Sequence, residues 1–212
     1  SSLSRRQHEQ KGYLMNRGYV LPNGFDTNVF SSDLDERDIV RAKFGVDQDT
    51  FLIGHVARFH PMKDHLTFIK AAALVAQDFP KTYFMLVGKD VESNWRSISK
   101  ELPKNLLHRF LILSERCDLV SLYRAMDSLC LSSTSESFPN VVGEAMACEI
   151  PCVSTQVGDS AIIIEDTGFI VPIADFEKLA KALEKLISMP PIERRNMGIK
   201  ARERIVANYS LN

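Results

Sequence analysis

The sequence lacks the glycine patterns of the common phosphate-binding loops. Its ten glycines stand at 12, 18, 24, 45, 54, 88, 143, 158, 168 and 198, so no two are two or three residues apart. There is no G-x-G-x-x-G turn and no Gly-Lys-Ser/Thr triplet, which argues against a dinucleotide dehydrogenase and a P-loop phosphatase or kinase. Long apolar runs are missing too. The uncharged runs are of strand length, far short of a bilayer span. Charge of one sign is not in excess: the formal net charge is −1. Nothing in it calls for nucleic acid or a membrane surface as partner. Cysteines number four, Cys117, Cys130, Cys148 and Cys152. None forms a C-x-x-C pair or a zinc spacing, so no metal site is expected. They read as small free thiols in a reducing, cytoplasmic compartment. The N-terminus, Ser1 to Gln7, has no initiator Met and no signal-peptide core. It reads as the cut end of a larger protein.

What is present is an alternation of strands and helices. Strands are expected at 51–57, 83–87, 110–113, 129–132, 151–154 and 169–171. Helices are expected at 64–79, 92–102, 119–126, from Pro139 onward, at 175–188 and at 192–208. This rhythm predicts an α/β fold, a doubly wound parallel six-stranded sheet of Rossmann-like type. The first 45 residues do not join it. Val20 to Asp26 is rich in turn formers, and 33–44 reads as a charged, solvated helix ending at Gly45. A chain of 212 residues holds one good core with an appendage.

The most informative stretch runs from Ser132 to Ala147. An apolar strand precedes it, and Pro139 fits the first turn of the following helix. That helix then begins at the carboxyl end of a strand, where open α/β sheets bind ligands. Its first N–H groups favour an anion. Glu136 lies before the helix and Glu144 one turn inside it. Each carboxylate accepts two hydroxyl hydrogen bonds. Two carboxylates beside an anion-binding helix end suit a ligand with many hydroxyls and a phosphate, such as a sugar nucleotide.

Other segments fall on the same edge. Arg58 to Lys63 follows the first strand, and Arg58 and Lys63 can neutralise a diphosphate, or form an ordinary solvated loop. Gly88 follows the second strand; it would let a ligand approach the backbone, or simply make a turn. Ser114-Glu115-Arg116 follows the third and is a candidate for nucleobase contact. Gly158-Asp159-Ser160 follows the fifth, either as ligand contact or as plain loop. His55, inside a strand, reads as structural; His60 and His65 sit near the cations.

Taken together, these segments resemble glycosyltransferase family 4, a retaining family with the GT-B fold. Glu136 to Glu144 matches its glutamate, seven residues, glutamate motif, continued by Ala145-Met146-Ala147. Arg58 and Lys63 match its Arg and Lys after the first donor-domain strand. Pro22 to Asp26 and Asp166 to Pro172 resemble two further family segments. Ala57, Glu149 and Ile163 depart from it, where glycine, glycine and glutamate are common. The resemblance implies the C-terminal, donor-binding half of such an enzyme. Residues 1–21 would be a remnant of the preceding acceptor domain, 22–45 a linker and charged helix, and 46–212 the donor domain.

The resemblance further implies transfer of a sugar from a nucleotide diphosphate donor, such as a UDP- or GDP-sugar, with retained configuration. Arg58 and Lys63, with the amides around Ser137, Phe138, Pro139, Asn140 and Val141, would stabilise the departing diphosphate. Glu136 would hold donor-sugar hydroxyls and Glu144 the ribose. Gly88 and Arg116 complete the donor set. Neither cofactor nor metal is called for. The acceptor, a saccharide or lipid-linked sugar, would belong to the absent half, whose full-length enzyme is expected to be cytoplasmic with peripheral membrane association. Two alternatives remain open: a sugar-nucleotide epimerase of the same architecture, and a nucleotide-binding module without chemistry.

Overall fold

A computed structural model describes residues 2–13 and 19–211. Its centre is one six-stranded sheet in the order β3-β2-β1-β4-β5-β6. The strands are β1 (Phe51–Val56), β2 (Thr82–Val87), β3 (Phe110–Leu113), β4 (Ser128–Leu131), β5 (Cys152–Thr155) and β6 (Gly168–Val171). Every pairing is parallel. The six strands expected from sequence are all present, and the sheet is doubly wound.

Both faces of the sheet are covered, which is why the strands read as near-continuous apolar runs. The side chains still alternate. Leu52 and Val56 of β1, with Met85 and Val87 of β2, enter one core. Phe51 and Ile53, with Phe84 and Leu86, enter the other. The second core is closed by α3 (His65–Asp78), α4 (Val91–Ile98) and α8 (Phe176–Ser188), and α3 packs along α8. The first is closed by α2 (Leu34–Lys43), α5 (Leu119–Ala125), α6 (Asn140–Ala147), α7 (Ser160–Ile164) and α9 (Pro191–Tyr209). A short helix, α1 (Ser2–Gln10), lies within the segment expected to be a domain remnant, of which residues 14–18 are outside the described residues.

Helix ends follow local chemistry. Asp33, Asp64 and Asp175 each accept the N–H three residues on, capping α2, α3 and α8. The expected helix at 92–102 becomes α4 followed by a 3-10 turn, Ser99–Glu101. Pro139 stands one residue ahead of α6 rather than in its first turn. After β5, Gly158 and Asp159 form a turn, and the five-residue α7 begins at Ser160.

The helix read as solvated is anchored. Arg41 is fully buried. It donates to the carbonyls of Ala125, Asp47 and Thr50 and to Asp127 Oδ2. Arg37 donates to Asp127 Oδ1 at 2.7 Å and to Met126 O. Asp127 Oδ2 also accepts the Leu52 N–H. A buried guanidinium is costly unless its N–H groups find partners; Ala125 at the end of α5, Asp127 just before β4, and Asp47 and Thr50 before β1 supply them to its two terminal nitrogens. Charge patterning on α2 could not reveal this, because the Arg41 acceptors are mostly main-chain carbonyls, which carry no residue-type signal.

Phe25, within the segment expected to be a linker, is also buried. Its N–H donates to Tyr209 O, and its carbonyl accepts the Leu211 N–H. Gly143 makes room for its ring, since a Cβ there would lie 2.1 Å from Phe25 Cζ.

Candidate active site at the carboxyl edge of the sheet

The chain leaves β1 for β2 and β3 on one side and returns to β4 on the other side of β1. The strand order therefore reverses between β1 and β4. At such a switch point the loops after the two strands diverge and leave a crevice. The loop after β1 holds Arg58 to Lys63, and the loop after β4 holds Glu136.

The two loops are joined across that crevice. Lys63 Nζ donates to Glu136 Oε1 at 2.5 Å, and Ser133 Oγ donates to the same oxygen at 2.7 Å. The Lys63 and Glu136 side chains are 21% and 13% exposed, so solvent screens the pair only partly. Ser132 Oγ lies 3.0 Å from Lys63 O and 2.9 Å from Asp64 O, and can donate to either. The Thr134 N–H donates to Met62 O at 2.8 Å. Asp64 takes a left-handed conformation, φ 43°, unusual for a residue with a Cβ. Its side chain offsets this by capping α3 through Thr67 N and accepting the Thr67 hydroxyl.

A third loop holds Glu136 from behind. Gly158 has φ +52°, and a Cβ there would lie 2.5 Å from Ser137 O and 2.7 Å from Glu136 O. The Asp159 N–H donates to Ser137 O at 3.1 Å, and Thr155 Oγ1 donates to Ser133 O at 2.6 Å. This is the observed role of the Gly158-Asp159 turn.

An open cleft of about 310 Å³ lies along this edge. Arg58, Lys63, Gly88, Lys89, Glu115, Arg116, Leu119 and Val141 are among its lining residues. Arg58 is exposed and has no ion pair among the described residues. Arg116 is paired with Asp118, at 2.6 Å from Nε and 2.5 Å from Nη2. Gly88 is explained by packing. A Cβ there would lie 2.1 Å from Ala57 O, so glycine lets the ends of β1 and β2 meet.

Glu144 is placed by α6. Its Oε2 accepts the Tyr123 hydroxyl at 2.7 Å. Burial raises the Glu144 carboxyl above its usual range, and the Tyr123 bond acts against that shift. Tyr123 is fully buried, and burial, then Glu144, pushes its phenol well above the ordinary value. Val141, one turn before Glu144, and Leu119, one turn before Tyr123, both line the cleft.

The remaining expected residues divide. Ser137 is exposed. The half-buried Phe138 ring packs on Phe25 and Tyr209, with centroids 6.2 and 5.9 Å apart. Pro139 is buried, and the Asn140 side chain accepts from Asn23 at 2.7 Å. Among the first amides of α6, that of Val142 donates to Pro139 O at 3.1 Å, and those of Asn140 and Val141 have no acceptor within the helix. Ile163, one of the departures from the family pattern, is fully buried in the core.

His55 and His65 sit beneath the Lys63 loop, with ring centroids 4.8 Å apart and edge to face. The His55 Nδ1–H donates to Cys130 O at 3.0 Å. Desolvation first, then His65, lowers His55 to about 3; desolvation lowers His65 to about 4. Both are neutral at pH 7, as a structural reading of His55 requires.

Sequence reasoning missed Ser133 and Tyr123. A signal existed for the tyrosine: a buried phenol needs a partner for its hydroxyl. Nothing local named that partner, which belongs to the next helix.

The family model for glycosyl transferases group 1 matches residues 36–204. The chain is 26% identical over 171 residues to UDP-Gal:alpha-D-GlcNAc-diphosphoundecaprenol alpha-1,3-galactosyltransferase of Escherichia coli, covering 79% of this chain and 44% of that protein. It is 32% identical over 168 residues to D-inositol 3-phosphate glycosyltransferase of Saccharomonospora viridis, covering 74% and 39%. Among solved structures, Anabaena HepE in complex with UDP-glucose superposes with a TM-score of 0.88 at 25% identity, covering 99% of this chain and 58% of that one. Sucrose-phosphate synthase of Thermosynechococcus elongatus gives 0.82 at 25%, covering 98% and 53%. The chain thus spans less than half the length of these curated relatives. By sequence and by fold, it belongs to the glycosyl transferases group 1 family.

Proposed function

We propose that this chain is the donor-binding half of a retaining GT-B glycosyltransferase, acting on a nucleoside diphosphate sugar. The observation that carries the reading is the meeting of Lys63 and Glu136 at the switch point, beside a cleft that Arg58 also lines.

In the reaction, the bond from the anomeric carbon to the diphosphate oxygen breaks, and a bond to an acceptor hydroxyl forms on the same face. The acceptor proton passes to the departing phosphate oxygen or to solvent. Negative charge builds on the diphosphate as the sugar becomes oxocarbenium-like. Arg58, Lys63 and the first amides of α6 stabilise that charge. Charge-assisted bonds of this kind contribute roughly 1.5–3 kcal/mol each, equivalent to about ten- to a hundredfold in rate. Glu136 accepts hydrogen bonds from hydroxyls of the donor sugar, and Glu144 from those of the ribose. Arg116 and Gly88 border the base end of the same cleft. The acceptor, a saccharide or a lipid-linked sugar, binds a second domain outside this chain. The 212-residue chain therefore binds donor weakly and does not transfer alone.

The test is titration of UDP, GDP and ADP into the purified chain by calorimetry. Saturable binding of one of them, lost on Arg58→Ala and Lys63→Ala, supports the reading and names the base. No binding of any at millimolar concentration, with the fold intact, overturns it.

A further inference from the structure

Each motif carboxylate has one oxygen held by the protein and one without a donor among the described residues. Glu136 Oε1 takes both Ser133 Oγ and Lys63 Nζ. Glu144 Oε2 takes the Tyr123 hydroxyl. In the first pair one donor is itself a candidate ligand group. The second pair is different, because Tyr123 is fully buried and reaches no ligand.

We infer that Tyr123 is a positioning residue for Glu144: its hydroxyl fixes one carboxylate oxygen, so that the other is presented to the ribose hydroxyls of the donor. The inference rests on the proposed reading of Glu144 as the ribose-binding group.

Three observations carry it. The first is the contact itself, a 2.7 Å bond whose donor has only one hydrogen to give. A carboxylate on a free side chain rotates about its last torsion, which is broad. A fixed donor on Oε2 stops that rotation. The second is rigidity of the donor. Tyr123 lies in α5 with Leu122 and Ala125 equally buried, and Phe30 packs on its ring at 6.4 Å between centroids. The third is placement. Leu119 and Val141, one turn earlier on α5 and α6, form adjoining parts of the cleft wall, so the Tyr123–Glu144 pair stands one turn along from the cleft. Burial also favours the neutral carboxyl of Glu144, and the phenol bond favours the charged acceptor that a hydroxyl ligand needs.

The experiment compares UDP with 2′,3′-dideoxy-UDP, which lacks both ribose hydroxyls, on the 212-residue chain. Affinities are measured for the wild type, Tyr123→Phe and Glu144→Gln, with a thermal melt of each. The inference expects Tyr123→Phe to weaken UDP about five- to tenfold and to leave dideoxy-UDP unchanged. Glu144→Gln should weaken UDP at least as much, again sparing the dideoxy compound. A Tyr123→Phe chain that binds UDP like wild type, while Glu144→Gln does not, overturns the positioning role and leaves the ribose reading standing. Equal weakening of UDP and dideoxy-UDP by Tyr123→Phe means general damage and also overturns it. If Glu144→Gln leaves UDP affinity unchanged, the ribose reading itself fails and the inference with it. Should Tyr123→Phe melt before it can be assayed, Glu144→Asp supplies the second arm. The shorter side chain draws the carboxylate away from the Tyr123 hydroxyl while keeping its charge. It should lose UDP affinity as Glu144→Gln does; retention of wild-type affinity for UDP overturns the positioning role.

Discussion

Lys63 Nζ lies 2.5 Å from Glu136 Oε1, although 73 residues separate them in sequence. The strand order places them there: β1 and β4 are neighbours, and each residue sits in the loop that follows its strand. The contact is thus a measurable signature of the switch point. In a double-mutant cycle of Lys63→Met and Glu136→Gln, followed by urea unfolding, the coupling should be about 0.5–1.5 kcal/mol for a partly screened pair. Coupling within error of zero would show that the two loops do not meet in solution.

The Gly158 turn should behave as part of the site. A methyl group at this position meets Ser137 O and Glu136 O and must adopt a left-handed backbone. Gly158→Ala should therefore cost about 1–3 kcal/mol in urea unfolding. It should also weaken nucleotide binding in the fraction that remains folded, because the Glu136 loop is pushed toward the cleft. Stability unchanged from wild type would contradict the packing described here.

Glu149 offers the opposite effect. The Ile150 N–H bonds Ala145 O and the Glu149 N–H bonds Met146 O, each at 3.0 Å, the two bonds of a Schellman helix end. Glu149 occupies its left-handed position with φ 64°, where glycine carries no Cβ penalty. Glu149→Gly should stabilise the chain by about 0.5–1 kcal/mol, read as a rise in the urea midpoint at unchanged slope. A lower midpoint would show that the side chain has a compensating role.

The histidine pair predicts an acid-side loss of stability. His55 and His65 fall from 6.5 in the unfolded chain to about 3 and about 4 in the folded one. Below pH 6.5 the unfolded state takes up protons that the folded state refuses. Stability is therefore full above that value, and it declines as pH drops toward the folded values. The slope approaches about 1.4 kcal/mol per pH unit for each histidine. Urea midpoints from pH 7.5 to 4.5 measure it, and His65→Phe should flatten the curve. An identical pH profile in wild type and His65→Phe would rule out this origin.

Much of the architecture was legible locally. Runs such as Phe84-Met85-Leu86-Val87 and the aspartate caps of α2, α3 and α8 are short-range signals, and a strand or helix cap needs only its neighbours. The glutamate spacing and the cations after β1 are likewise short-range signals, and the structure brings Lys63 and Glu136 together at the carboxyl edge of the sheet. What could not be read is what depends on partners distant in sequence. Arg41 looked solvated because its acceptors are carbonyls on α5 and in the segment before β1. Gly88 reads from sequence as either a turn or a ligand contact; the close approach of the Ala57 backbone, a constraint from the neighbouring strand, requires glycine there as well. Phe138 stood in the motif loop, but its ring turns toward Phe25 and Tyr209.

The sequence by itself therefore determined the elements, their alternation and the residue types gathered at the ends of strands. Only the tertiary structure decided which oxygen of each carboxylate is held, by Ser133 and Lys63 or by Tyr123. Local propensity acts over a few residues through backbone geometry and capping. A hydrogen bond between side chains on different elements depends on sheet order and helix packing, which arise only when the whole core closes.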